Sequence, residues 1–136
     1  MADYFTRFSL VLPLKPDQRD YALQLAAQVA AHRDEDQPFP ESFPSDLGEV
    51  IEDWWFETDS QDEGIWLHSD NGGTDPACVF IQHLLQKFAF APSVGFEWSF
   101  DCTKPRTDAY GGGAAFITAT KIETMSTTEW LRSQSV

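Results

Sequence analysis

The chain has 136 residues, of which 42% are hydrophobic, including 11 Phe and 5 Trp, and its formal net charge is −13. That length and aromatic content predict one domain spanning 1–136 with a sizeable core, and they exclude a disordered chain. Nine Lys and Arg against 22 acids exclude nucleic acid and anionic membrane surfaces as direct ligands, because both need clustered cations.

Residues 5–12 alternate, with Phe8, Leu10 and Leu12 on one face and Arg7 and Ser9 on the other, which predicts a half-buried strand closed by Pro13 and Pro16. Residues 17–33 read as a helix. Pro16 suits its first turn, Asp17 and Asp20 suit its positive end, and Tyr21, Leu25 and Val29 form an apolar stripe. Alanines at 22, 26, 27, 30 and 31 allow close approach to a sheet. Residues 34–53 form an acidic, proline-rich loop segment.

Trp54, Phe56 and Thr58 alternate with Trp55, Glu57 and Asp59, and Ile65–His68 follows a polar turn, so residues 54–68 read as a hairpin. Thr74 can cap the next helix, whose stripe of Ala77, Phe80, Ile81, Leu84, Leu85 and Phe88 is strongly amphipathic. Val94, Phe96, Trp98 and Phe100 alternate with Gly95, Glu97, Ser99 and Asp101 in the cleanest strand of the chain. A loop over 103–113 ends in three glycines, and Ala114 to Ile122 reads as the last strand. Ser126-Thr127-Thr128-Glu129 is a capping box before a short helix. The order β-α-β-β-α-β-β-α predicts an α+β fold. Its architecture is a ferredoxin-like (split βαβ) sandwich with about five antiparallel strands, two main helices and a short C-terminal helix.

No Lys or Arg lies between Arg33 and Lys87, and residues 34–86 hold 14 of the 22 acids. The rest of the chain has 8 acidic and 9 basic residues. Ordinary solvated faces mix both signs, so a segregated acidic stretch points to a surface that meets something basic. Twelve of the 14 acids fall in 34–63. The predicted partner-binding set is Asp34, Glu35, Asp36, Glu41, Asp46, Glu49, Glu52, Asp53, Glu57, Asp59, Asp62 and Glu63, with Trp55 as an aromatic anchor. Lys104, Arg106, Asp108 and Tyr110, in the loop before the glycines, form a second candidate surface.

Catalytic constellations are thin. His68-Ser69-Asp70 is no triad, because adjacent strand residues point to opposite faces. The Asp70–Asp75 glycine loop lacks phosphate-loop and calcium-loop spacing and reads as a turn. Cys102 beside a histidine could make a thiol nucleophile, but Asp101 next to it would raise the thiol pKa. No Cys/His pair has zinc spacing, so neither metal nor cofactor is expected. Cys78 and Cys102 read as free thiols. No apolar run reaches about 18 residues, and Met1–Tyr4 lacks a signal-peptide n-region, so a cytoplasmic protein is expected.

The motifs Ile65-Trp66-Leu67-His68-Ser69, Phe96-Glu97-Trp98-Ser99 and Asp108-Ala109-Tyr110-Gly111-Gly112-Gly113-Ala114-Ala115 carry a resemblance. The chain resembles a group of small acidic proteins, without established activity, carried on bacterial phages and plasmids. The resemblance implies an anti-defence role, such as that of anti-CRISPR proteins that occupy nucleic-acid sites. Two functional expectations follow. The first is a non-enzymatic acidic protein that docks a basic, nucleic-acid-binding protein surface, as a nucleic-acid mimic. The alternative is a small enzyme or ligand-binding domain in which His68, Asp70, Asp101 and Cys102 converge on one polar site.

Overall fold

A computed structural model describes residues 3–35, 54, 56–105 and 109–134. Its elements are β1 (Tyr4–Pro13), α1 (Pro16–Glu35), β2 (Glu57–Gln61), β3 (Gly64–Ser69), α2 (Thr74–Phe88), β4 (Val94–Cys102), β5 (Gly111–Ile117), β6 (Ile122–Ser126) and α3 (Thr127–Gln134). Among the described residues, six strands form one antiparallel sheet in the order β2-β3-β1-β4-β5-β6. Its first four strands lie β4-β1-β3-β2, with one helix in each crossover, which is the split βαβ arrangement. β5 and β6 extend the sheet beyond β4 as a meander.

Both main helices cover one face, α1 over β2 and β3, and α2 over β5. Register puts Phe8 opposite Ser69, Leu10 opposite Leu67, Leu12 opposite Ile65 and Phe96 opposite Ala115, so these residues share that face. They meet Leu25 and Val29 of α1 and Phe80, Ile81 and Leu84 of α2 in one buried core. Each large side chain buried there contributes about 1.5–3 kcal/mol. Ala22 and Ala26 are buried where α1 lies against the sheet. Pro16 opens α1, and the Gln18 side chain accepts a hydrogen bond from the Lys15 amide at 3.1 Å. That bond satisfies a donor just outside the helix.

Five local expectations are corrected. Trp54 and Phe56 precede β2 rather than starting it; both are buried, their rings tilted to each other with centroids 4.6 Å apart, and Trp54 is edge-on to Phe80 at 5.5 Å. Core burial of two rings displaces the strand's start to Glu57. The hairpin turn shrinks to Asp62-Glu63 between paired Gln61 and Gly64. Gly64 sits at φ 152°, and a Cβ there would lie 1.8 Å from the Leu12 carbonyl oxygen.

The cap of α2 is Gly73 at φ 82°, with no side-chain hydrogen bond, instead of Thr74. A residue without Cβ enters the left-handed region at little cost. The glycine run belongs to β5, not to a loop. A Cβ on Gly113 would lie 2.6 Å from the Trp98 indole and 2.6 Å from the Met125 carbonyl oxygen, so the strand is glycine to admit that ring.

The predicted last strand is two strands, which raises the count to six. Thr118 donates its amide to the Lys121 carbonyl at 2.8 Å and turns the chain back into β6. Gln82 and Gln86 of α2 donate to the Thr118 and Ala119 carbonyls at 3.1 and 2.7 Å, fixing that turn from outside. The predicted cap of α3 is present in part: Ser126 Oγ accepts from the Glu129 amide at 3.1 Å.

Candidate interaction face of the sheet

Alternation along each strand gives the sheet a second face, which no helix among the described residues of the core covers. From edge to edge it presents Glu57 and Asp59 of β2, Trp66 and His68 of β3, Phe5, Arg7 and Ser9 of β1, Glu97, Ser99 and Asp101 of β4, Ala114 and Phe116 of β5, and Glu123 and Met125 of β6. Most of these side chains are exposed or half-buried. Seven are acidic or pair with acids, and the face has few basic groups.

Arg7 and His68 both meet carboxylates. Arg7 Nε meets Asp101 Oδ2 at 3.0 Å and Arg7 Nη1 meets Asp70 Oδ1 at 3.1 Å, while the guanidinium lies 4.3 Å above the Phe5 ring. Hydrogen bonding to Asp101, with its charge and that of Asp70, holds the Arg7 guanidinium above its ordinary pKa range. His68 Nε2 lies 2.5 Å from Asp59 Oδ2, and Nδ1 lies 3.7 Å from Glu57 Oε2. The imidazole stacks on Trp66 at 3.8 Å, and Trp66 Nε1 donates to Ser9 Oγ at 2.7 Å. A cleft of about 360 Å³ lies among Arg7, Ser9, Trp66, His68 and Asp70.

Three of the four residues of the polar-site alternative therefore share this face: His68, Asp70 and Asp101. The fourth does not. Cys102 pairs with Tyr4 in register, turns toward the covered face and is buried. That is a correction: strand parity puts Asp101 and Cys102 on opposite sides. Ser69 is buried on the covered side too, and its hydroxyl accepts from the Asn71 amide at 2.9 Å. The open face thus brings carboxylates and an imidazole together without either of those hydroxyl or thiol groups. Among the described residues, no cluster of three His, Cys, Asp or Glu could hold a metal ion.

Of the Asp70–Asp75 segment, expected to be a turn, residues 70–73 form the turn and Thr74 and Asp75 already belong to α2. Thr6 donates to the Asp70 carbonyl at 3.2 Å and Gly72 donates to the Thr6 carbonyl at 3.0 Å, which ties the loop to β1.

The acidic set divides. Glu57 and Asp59 lie on the open face of β2, which is an edge strand, and Asp62 and Glu63 form the exposed hairpin turn. Asp34 is exposed in the last turn of α1 but is gripped by Arg33 at 2.7 and 2.8 Å. That hydrogen bonding holds its carboxyl below the usual range. Arg33 also donates to the Trp54 carbonyl, so it ties the end of α1 to the approach to β2. Glu35 is the last residue of α1. Asp36, Glu41, Asp46, Glu49, Glu52, Asp53 and Trp55 lie outside the described residues, as do Arg106 and Asp108 of the second surface. Of that surface, Lys104 is exposed, and Tyr110 puts its hydroxyl 2.8 Å from the Cys102 carbonyl and 3.2 Å from the Lys104 carbonyl. Tyr110 thereby staples the loop from Cys102 to Lys104.

Arg7, Glu97, Phe116, Glu123 and Met125 were not among the sequence candidates. The polar half of the alternation in residues 95–101 was visible; its meaning required knowing which face the helices cover. No protein-family model, curated protein or solved structure matches the chain.

Proposed function

We propose that the chain is a non-enzymatic acidic binding protein whose edge hairpin docks a basic protein surface. One observation carries the reading. Glu57, Asp59, Asp62 and Glu63 stand exposed on an edge strand and its turn, in a segment without Lys or Arg, while the nearby Arg7 is already matched by Asp70 and Asp101 and the Arg19 guanidinium donates to the Gln61 carbonyl. A surface with its own cations matched and a carboxylate excess left over attracts a basic partner and steers its approach. In the finer form of the proposal these carboxylates stand in for phosphates. The partner is then a cytoplasmic nucleic-acid-binding complex, such as a host defence system met by a phage or plasmid protein.

Affinity purification of the tagged protein from a bacterial host, at low and then high salt, tests this. The expected partner is a nucleic-acid-binding protein held at low salt and released as screening shortens the reach of charge. Reversing the hairpin with Glu57→Lys, Asp59→Lys, Asp62→Lys and Glu63→Lys together should release it at low salt. A salt-insensitive partner, or capture unchanged by the reversal, would overturn the proposal.

A further inference from the structure

On the open face, β4, β5 and β6 present two cross-strand rows: Gly95, Phe116 and Glu123 in one, and Glu97, Ala114 and Met125 in the other. Gly95 and Ala114 are small, so the face sinks there into a groove of about 650 Å³ that reaches β1. Its apolar walls are unusually bare, with Phe116 50% and Met125 48% exposed. Four adjacent strands span about 14 Å, which accommodates an α-helix of about 10–12 Å diameter.

The charge of the groove selects the occupant. Glu97 stands at its centre with no hydrogen bond or ion pair among the described residues. Glu123 holds Lys121 at 2.6 Å, but both side chains are more than half exposed and open to exchange. The neighbouring cation of the face, Arg7, is held by Asp70 and Asp101. Apolar walls with an unmatched carboxylate between them fit a ligand that is apolar and cationic on the same side.

We infer that this groove is the docking site for a basic amphipathic helix of a partner protein. The inference rests on the reading of the chain as an acidic binding protein, and it places the contact on β4–β6 in addition to the β2 edge. An apolar side chain of the helix sits over Gly95 and Ala114, between Phe116 and Met125, and a Lys or Arg beside it reaches Glu97.

The test is a calorimetric titration, at low salt, with a helical peptide of about 18 residues (five turns), Leu on one face and Lys on the other. A control peptide carries Glu in place of Lys. The Lys peptide should bind and the control should not. Glu97→Lys and Ala114→Trp, the latter filling the floor, should each weaken binding about tenfold or more, with melting curves like that of the unmodified chain. The fourfold hairpin reversal should leave this affinity within about threefold. Failure of the Lys peptide to bind, or equal binding of both peptides, would overturn the groove. Equal loss from groove and hairpin variants would reduce the binding to bulk charge and also overturn it. Loss from the hairpin reversal alone would overturn the groove and leave the broader acidic-binding reading standing.

Discussion

The two faces of this sheet are written by the same strands and do opposite work. In β4, Phe96 is buried under the helices while its neighbour Glu97, without an ion pair among the described residues, lines the open groove. In β3, Leu67 is fully buried while Trp66 and His68 stack on the other side. The covered face tolerates almost no change in volume. Among the described residues the open face has no second layer to fit, and it carries unmatched charge. Stability and the proposed recognition are thus separated by one residue of register, and a substitution's effect should depend on strand parity more than on position in the chain.

Breaking the covered face should produce the largest effect. Phe80 is fully buried against Trp54 and Phe56, so Phe80→Ala should cost about 3–5 kcal/mol in denaturant unfolding. Gly113→Val drives a side chain into the Trp98 indole and the Met125 carbonyl and should cost about 1–3 kcal/mol. Glu97→Lys, one residue from buried Phe96, should stay within about 0.5 kcal/mol. A comparable loss from Glu97→Lys and Phe80→Ala would break the comparison. At the end of α2, Ala89 holds a left-handed φ of 47° and closes the helix with its amide on Leu85. Ala89→Gly should raise stability by about 0.5 kcal/mol, relief of strain exceeding the added chain entropy.

The outer surface of the helices sharpens the contrast through pH. His83 lies 2.9 Å from the Tyr21 hydroxyl, and burial, with the Lys87 charge, depresses its pKa. The unfolded chain therefore binds a proton before the native chain does. The contribution of neutral His83 is complete above the ordinary imidazole value of about 6.5 and is lost as pH falls from there through the depressed native value. Thermal melts between pH 7.5 and 5 should show this slope, and His83→Gln should flatten it. Cys78 gives a small but clean readout: burial, with Asp75, pushes its thiol up to about 12, so it should resist a thiol reagent until the chain unfolds.

Much of the architecture was legible in the sequence because apolar spacing differs between helix and strand. The Phe80–Leu84 stripe and the alternation over 94–101 located α2 and β4, and element order alone gave the split βαβ arrangement. The turn at Thr118–Lys121 was hidden: it contains no Gly, Pro or Asn, and side chains of α2, far away in sequence, hold it. The three glycines looked like a loop, whereas they belong to β5, where Gly113 makes room for the Trp98 ring and Gly112 for the Trp98 backbone. The hairpin acids of the candidate site were legible as a charge segment. The groove was not, since its six residues come from three strands and become neighbours only through register.

Chemical-shift mapping of the isotopically labelled chain, titrated with the basic amphipathic peptide, tests the division between the faces most directly. The account predicts perturbations centred on Gly95, Glu97, Ala114, Phe116 and Met125, with the outer residues of α1 and α2 unchanged. Perturbations centred on Tyr21, His83 and Lys87, or spread evenly over both faces, would contradict it.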